Sequence, residues 1–323
     1  MAKGLSVRIP EAHIAQKLLE TIPEKQYAAA ENTLKSRRKD VVLAVTWNVW
    51  FDNLWQDERL VALVSELLQT APDVCGLQEV TARFLEALQV PQLMNLYQVY
   101  PKSVDNYGCA ILVRSDWAAR FREVPLPTMM GRSLIIAQAG GLTFATVHLE
   151  SLASAPVRRK QLAVAAKELA SSRAAVLCGD FNFDCTRNWG EWKQHYRAPS
   201  SKLPHENESL ADLLPSFIDC WPHLHSADPG YTFDGVTNGQ CINDELEQMR
   251  YDRFLANQGF EPTAIHMLGT AEVALPSGGT TKPSDHYGLA VHLKLKPQAE
   301  IGFIEMTATT LRRLFSGRQQ QNR

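Results

Sequence analysis

A chain of 323 residues, 45% apolar and 21% charged, is long enough to bury one large core and too apolar for wholesale disorder. Its formal net charge of −2 excludes a broad basic nucleic-acid surface, so a polyanion must be met locally, in a groove. No stretch approaches the ~18 apolar residues of a membrane span, and the first residues, MAKGLSVRIPEAH, hold no long apolar run.

Residues 11–39 read as helical, with Ile14, Leu18 and Ile22 one turn apart, an interruption at Pro23 and a solvated basic end, KSRRKD. We therefore assign 1–40 as an N-terminal helical extension. From Val41 the texture changes. VVLAV is a buried-strand run, and DERLVALVSELLQT is a helix with Leu60, Leu63, Val64, Leu67 and Leu68 on one stripe. DVCGL and AILV (110–113) are further strands, and LTFATVHL (142–149) is a strand entered through a Gly140-Gly141 turn. RRKQLAVAAKELA turns Leu162, Ala165, Ala166 and Leu169 inward as a second helix, and the strand AAVLC follows. A long polar stretch, 186–230, leads to strands near 251–256 and 289–295. Nothing divides 41–297, which reads as one domain, and 298–323 is a basic tail carrying Arg312, Arg313, Arg318 and Arg323. Strands interleaved with single helices, some reached through hairpins, predict an α/β fold with a mixed sheet and helices outside. The six cysteines show no CxxC or zinc spacing; Cys75 and Cys178 fall in apolar runs, as expected of buried thiols in a reducing, intracellular compartment, nuclear or cytoplasmic.

The strands end in a recurring way. VVLAVTW delivers Asn48, DVCGLQ delivers Glu79, FATVHLES delivers His148 and Ser151, and AAVLCGDFN delivers Asp180 and Asn182. MRYDRFL carries Asp252, and SDHYGL offers Asp285 and His286 where the last strand begins. Each alone is an ordinary turn residue or cap. Six complementary polar clusters at strand ends describe a scaffold that aims them at one edge. The set suits cleavage of a phosphodiester. A lone carboxylate fits Mg²⁺, which keeps waters and takes phosphate oxygens. Asn, His and Ser donate to nonbridging oxygens, a second carboxylate activates water, and an Asp–His pair favours charged imidazole.

In the order W-N, Q-E, H-L-E-S, G-D-x-N, D-R and S-D-H, these motifs resemble the endonuclease/exonuclease/phosphatase superfamily across most of 41–295. The resemblance implies a four-layered α/β sandwich, two mixed β-sheets flanked by helices, and Mg²⁺-dependent phosphoester hydrolysis, with Mn²⁺ as a substitute. TVHLES, SDHYGL and YTFD (231–234) are most similar to the tyrosyl-DNA phosphodiesterase 2 branch, which hydrolyses the bond between a topoisomerase tyrosine and a DNA 5′-phosphate. By that resemblance Glu79 is the metal ligand and Asp285 touches the metal's water shell. Asn48 and Asn182 organise phosphate and water, and Asp180 activates the water. His148, Ser151 and His286 clasp the phosphate, and Asp252 supports His286. Arg132 meets the DNA backbone, Tyr107 lines the groove, and Phe233 stands where the branch has Trp on the DNA end. Phe181 replaces Thr within G-D-x-N and Leu152 a polar residue after H-L-E-S, departures that bear on substrate preference. The expected partner is a DNA end with a 5′-tyrosyl adduct, met by a monomer away from membranes. The alternative is another superfamily substrate: an abasic-site endonuclease, RNA exonuclease, inositol phosphatase or sphingomyelinase. HLHSAD (223–228) offers His223, His225 and Asp228 for a second metal, set against a reading as solvated loop.

Overall fold

The computed structural model describes residues 12–193, 205–241 and 247–297. The start of the N-terminal extension and the basic tail 298–323 lie outside the described residues. The first strands are β1 (Val41–Asn48), β2 (Val74–Thr81), β3 (Tyr97–Tyr100) and β4 (Tyr107–Arg114). Then follow β5 (Arg120–Pro125), β6 (Ser133–Ala139), β7 (Leu142–His148), β8 (Ala174–Asp180) and β9 (Phe217–Asp219). A short pair, β10 (Phe233–Asp234) and β11 (Gln248–Met249), precedes β12 (Asp252–Asn257) and β13 (Phe260–Leu268). A second short pair, β14 (Val273–Ala274) and β15 (Thr280–Thr281), precedes β16 (Gly288–Leu295).

Two six-stranded mixed sheets result, ordered β13-β16-β1-β2-β4-β3 and β5-β6-β7-β8-β12-β9. β1 and β8 are apolar without alternation because each is covered on both faces. Between the sheets lie Val42, Ala44, Ile111, Phe144, Val176 and Phe254. The outer face of the first sheet is covered by the helix Gln56–Thr70, whose predicted stripe is buried. The helices Ala12–Thr21 and Glu24–Ser36 add Leu18, Tyr27 and Leu34 to that same core. The outer face of the second sheet is covered by Ala155–Leu169, which buries Leu162, Ala165 and Leu169. Helix, sheet, sheet and helix make the expected four-layered sandwich. Among the described residues no helix is long and apolar enough to cross a membrane.

Strand direction places the polar residues. β1 and β2 run parallel and β16 antiparallel to β1, so Asn48, the end of β2 and the start of β16 share one edge. In the second sheet β7 and β8 run parallel and β12 antiparallel to β8, in a register that sets His148, Asp180 and Asp252 side by side. The Gly140-Gly141 turn has φ of 59° and 80°, the conformation of a two-residue hairpin whose twist matches its strands. Gly179 has φ 135°, and a Cβ there would lie 1.9 Å from the Val147 carbonyl oxygen, so only glycine lets β8 approach β7 just before Asp180.

Candidate active site

The two sheets bring their polar ends together. Asn48 Nδ2, from the first sheet, donates to Asp180 Oδ2, from the second, at 3.0 Å. Asp180 Oδ1 accepts the Asn182 backbone N–H at 2.8 Å, and Asn182 Nδ2 donates to the Leu149 carbonyl at 3.1 Å. Beneath them Gln78 Nε2 donates to Thr146 Oγ1 at 2.9 Å and to Thr46 Oγ1 at 3.1 Å, a buried polar bridge between the sheets. Glu79 accepts the Phe51 N–H at 3.0 Å. Its φ of 59° and that of Asn182, 56°, lie in the left-handed region; Asn tolerates it, whereas Glu there is strained, a hallmark of functional positions.

Two imidazoles flank Asp180. His148 Nε2 lies 3.5 Å and His286 Nε2 4.0 Å from Asp180 Oδ2. Their charge states differ. Burial drives the His148 pKa down to about 3, and the Arg132 guanidinium adds to the effect. Arg132 Nη1 lies 3.0 Å from His148 Nδ1, and guanidinium only donates, so neutral His148 carries its proton on Nε2, facing Asp180. Burial disfavours charge on His286 too, but Asp252, Asp285 and Asp180 outweigh it and hold His286 well above its ordinary pKa. Its Nδ1–H donates to Asp252 Oδ2 at 2.7 Å. The His286 backbone is fixed by Trp47 Nε1, which donates to its carbonyl at 3.0 Å. Burial would raise Asp180, yet His148, His286, Asn48 and Asn182 keep its pKa below the ordinary value, so it is ionised at neutral pH.

Asp180, Asp252 and His286 bring ligating atoms within 4.8 Å of one another. His286 is committed there as a proton-bearing partner of Asp252. The carboxylates of Glu79 and Asp285 differ: burial raises both, and their mutual repulsion helps push Asp285 up to about 7. A divalent cation beside them would relieve that repulsion, and an all-oxygen donor set is what a small hard cation takes. The residues present therefore fit a hard divalent metal ion.

These groups floor a cavity of about 700 Å³. Glu79, His148, Asp180, Asn182 and His286 line it, and so do four predicted binding residues, Tyr107, Arg132, Ser151 and Phe233. Asn48 and Asp252 sit behind the lining, bonded to Asp180 and His286, and Asp285 sits beside Ser284. Arg132 is buried, against His148 and 5.7 Å from the Tyr107 ring. Ser151 Oγ contacts Met130 Sδ at 3.1 Å. Phe233 sets its ring edge-on to His286, centroids 5.1 Å apart. Sequence reasoning missed Phe51, Trp189, Trp192, Lys193, Glu247 and Tyr251, which also line the cavity. The tryptophans in NWGEWK were the available signal, hidden in a stretch without periodicity. His225 is not assembled with His223 and Asp228 into a metal cluster: its Nε2 bonds the Ile265 carbonyl at 3.0 Å and its ring lies on Trp221.

The Endonuclease/Exonuclease/phosphatase family model matches residues 45–286, and the chain belongs to that family. It is a metal-dependent phosphoester hydrolase. Among solved structures it is similar to D. rerio TDP2 complexed with a single-strand DNA product, at 24% identity and TM-score 0.65 over 79% of this chain and 100% of that one. Truncated Caenorhabditis elegans TDP2 is similar at 21% identity and TM-score 0.63 over 79% and 98%. The human Nocturnin catalytic domain with bound sulfate is similar at 16% identity and TM-score 0.56 over 80% and 95%. These likenesses establish the shared fold. Comparison with curated protein sequences gives no match.

Proposed function

We propose that the chain hydrolyses 5′-phosphotyrosyl-DNA linkages, releasing tyrosine and leaving the 5′-phosphate on DNA. The observation that carries the reading is the proton inventory at the cavity floor. Asp180 is an ionised base, His148 is neutral, and His286 is a cation tied to a carboxylate. Asp180 takes the proton of the attacking water while Asn48 and the Asn182 backbone hold its two oxygens in place. The Nε2–H groups of His148 and His286, with Ser151, donate to the phosphate oxygens as charge builds at phosphorus. Glu79, with Asp285 at the water shell, would hold Mg²⁺, which supplies charge neutralisation of the phosphate when bound. The His286 imidazolium is engaged with Asp252 and the phosphate oxygens, and its raised pKa makes it a weak acid toward an alkoxide. A tyrosine phenol, with a pKa of about 10, leaves without one. The aromatic walls suit unpaired bases, and Phe233 would stack on the terminal one. The DNA product held by the similar D. rerio structure supports the same substrate class.

The test is kcat/KM at fixed Mg²⁺ on 5′-tyrosyl and 3′-tyrosyl oligonucleotides, abasic duplex, RNA, inositol phosphates and sphingomyelin. The 5′-tyrosyl end is expected to be fastest, with single-stranded ends preferred to blunt duplex. Faster incision of abasic duplex than release of tyrosine refutes the assignment.

A further inference from the structure

The cavity has a wall that the catalytic groups do not use. Trp189 and Trp192 line it edge to face, ring centroids 5.5 Å apart at 88°, and the Lys193 ammonium lies 4.5 Å from the Trp189 centroid. Both indoles are only partly buried. The segment that presents them is firmly built, although it follows no regular element. Buried Asp184 accepts the Thr186 N–H and hydroxyl and the Arg187 N–H, and ties them to the Arg250 N–H at 2.8 Å. Asn188 Oδ1 accepts the Glu206 N–H at 3.0 Å. Glu206 in turn is paired through both oxygens with Arg158, a fully buried guanidinium that also bonds the Glu150 and Leu152 carbonyls of the active-site loop. Two large aromatic rings set perpendicular to each other and fixed relative to the catalytic floor, with an ammonium over one face of Trp189, leave aromatic surface for stacking and a cation for a phosphate contact.

We propose that Trp189 and Trp192 bind the second nucleobase of the substrate strand and that Lys193 meets the phosphate beyond it. Phe233, whose ring lies edge-on to His286, takes the terminal base. The assignment rests on the phosphotyrosyl-DNA reading. It makes recognition depend on the second nucleotide, through stacking rather than base-edge hydrogen bonds, so it tolerates any base.

The experiment compares 5′-tyrosyl trinucleotides that carry or lack the second base. With the wild-type enzyme, loss of that base is expected to lower kcat/KM about tenfold or more. In Trp189→Ala and Trp192→Ala the same loss is expected to cost little, because the partner surface is gone, while Trp189→Phe restores the dependence. Lys193→Gln is expected to reduce the salt dependence of binding by about one phosphate contact. A base-deletion penalty equal in wild type and both alanine variants overturns the proposal. Binding of 5′-phosphorylated trinucleotides with and without the second base, followed by tryptophan fluorescence, is measured in parallel. If the wild type releases no tyrosine yet shows the base-dependent quench, the substrate assignment fails and the platform stands. No base dependence in either measurement refutes the platform itself.

Discussion

Replacing Asp252 by Asn tests how the protein keeps a buried imidazole charged. Asp252 is fully buried and its Oδ2 lies 2.7 Å from His286 Nδ1. The substitution keeps size and a hydrogen-bond acceptor but removes the charge that most opposes burial of the His286 cation. Asp285 and Asp180 remain, so the His286 pKa falls without collapsing. A hydrogen bond to a charged group contributes about 1.5–3 kcal/mol, so His286 should become easier to deprotonate by one to two pH units. The sign follows. On the proposed mechanism the protonated form stabilises the pentacovalent phosphate, and wild-type activity should be lost as pH rises through the raised pKa. Asp252→Asn should lose it at lower pH. At mildly alkaline pH its kcat should fall about thirtyfold, whereas on the acid side it should approach the wild type. The assay is kcat and kcat/KM across about pH 5.5–9.5 on a 5′-tyrosyl oligonucleotide, with thermal unfolding at each pH to separate chemistry from folding. A basic limb that superposes on that of the wild type, merely lowered at every pH, refutes the reasoning and leaves Asp252 a positioning residue.

Asp180→Asn should lower kcat about 10²–10⁴-fold while substrate affinity holds or tightens, as kinetics and equilibrium binding on one substrate will show. Chelation should abolish turnover and Mg²⁺ or Mn²⁺ restore it, with Glu79→Gln needing more metal for half-maximal rate; full turnover in chelator removes Glu79 from its role. Gly179→Ala should lower the melting temperature and inactivate the enzyme together, because its Cβ would meet the Val147 carbonyl oxygen at 1.9 Å. His148, held neutral by burial with a pKa of about 3, contributes stability that is present above its unfolded value near 6.5 and lost as pH falls toward 3. Denaturant unfolding should therefore show stability declining across that window, and His148→Gln should flatten part of the decline.

The clustering of polar residues at the cavity floor was legible because strand-end chemistry survives in a linear text: an apolar run that stops at Asp180 or Asn48 announces both the strand and its cargo. Parallel pairing of β1 with β2 and of β7 with β8 then does the assembling. The rest hid for physical reasons. β5, RFREVP, is polar and exposed at an edge, and β13 holds Pro262 beside a break in register, so neither reads as a strand. The N-terminal segment reads as helical on either side of Pro23, but no pattern along the chain reveals that Leu18 and Leu34 share a core with Leu63. Trp189 and Trp192 escaped because an irregular segment has no period to betray which way its side chains face. The Arg132–His148 contact, which fixes a tautomer, is a long-range fact that only packing creates.

The proposed reaction centre lies on a seam. Asn48 and Glu79 ride on one sheet, with His286 two residues before its strand β16, and His148, Asp180 and Asp252 ride on the other. The seam has almost no slack: a Cβ on Gly76 would come within 2.6 Å of Thr146 Oγ1, across from the Gln78 bridge. Competence is thus a property of the joint between two jaws. The hydrogen bond from Asn48 to Asp180 acts as a latch, and turnover becomes a gauge of how faithfully the jaws meet.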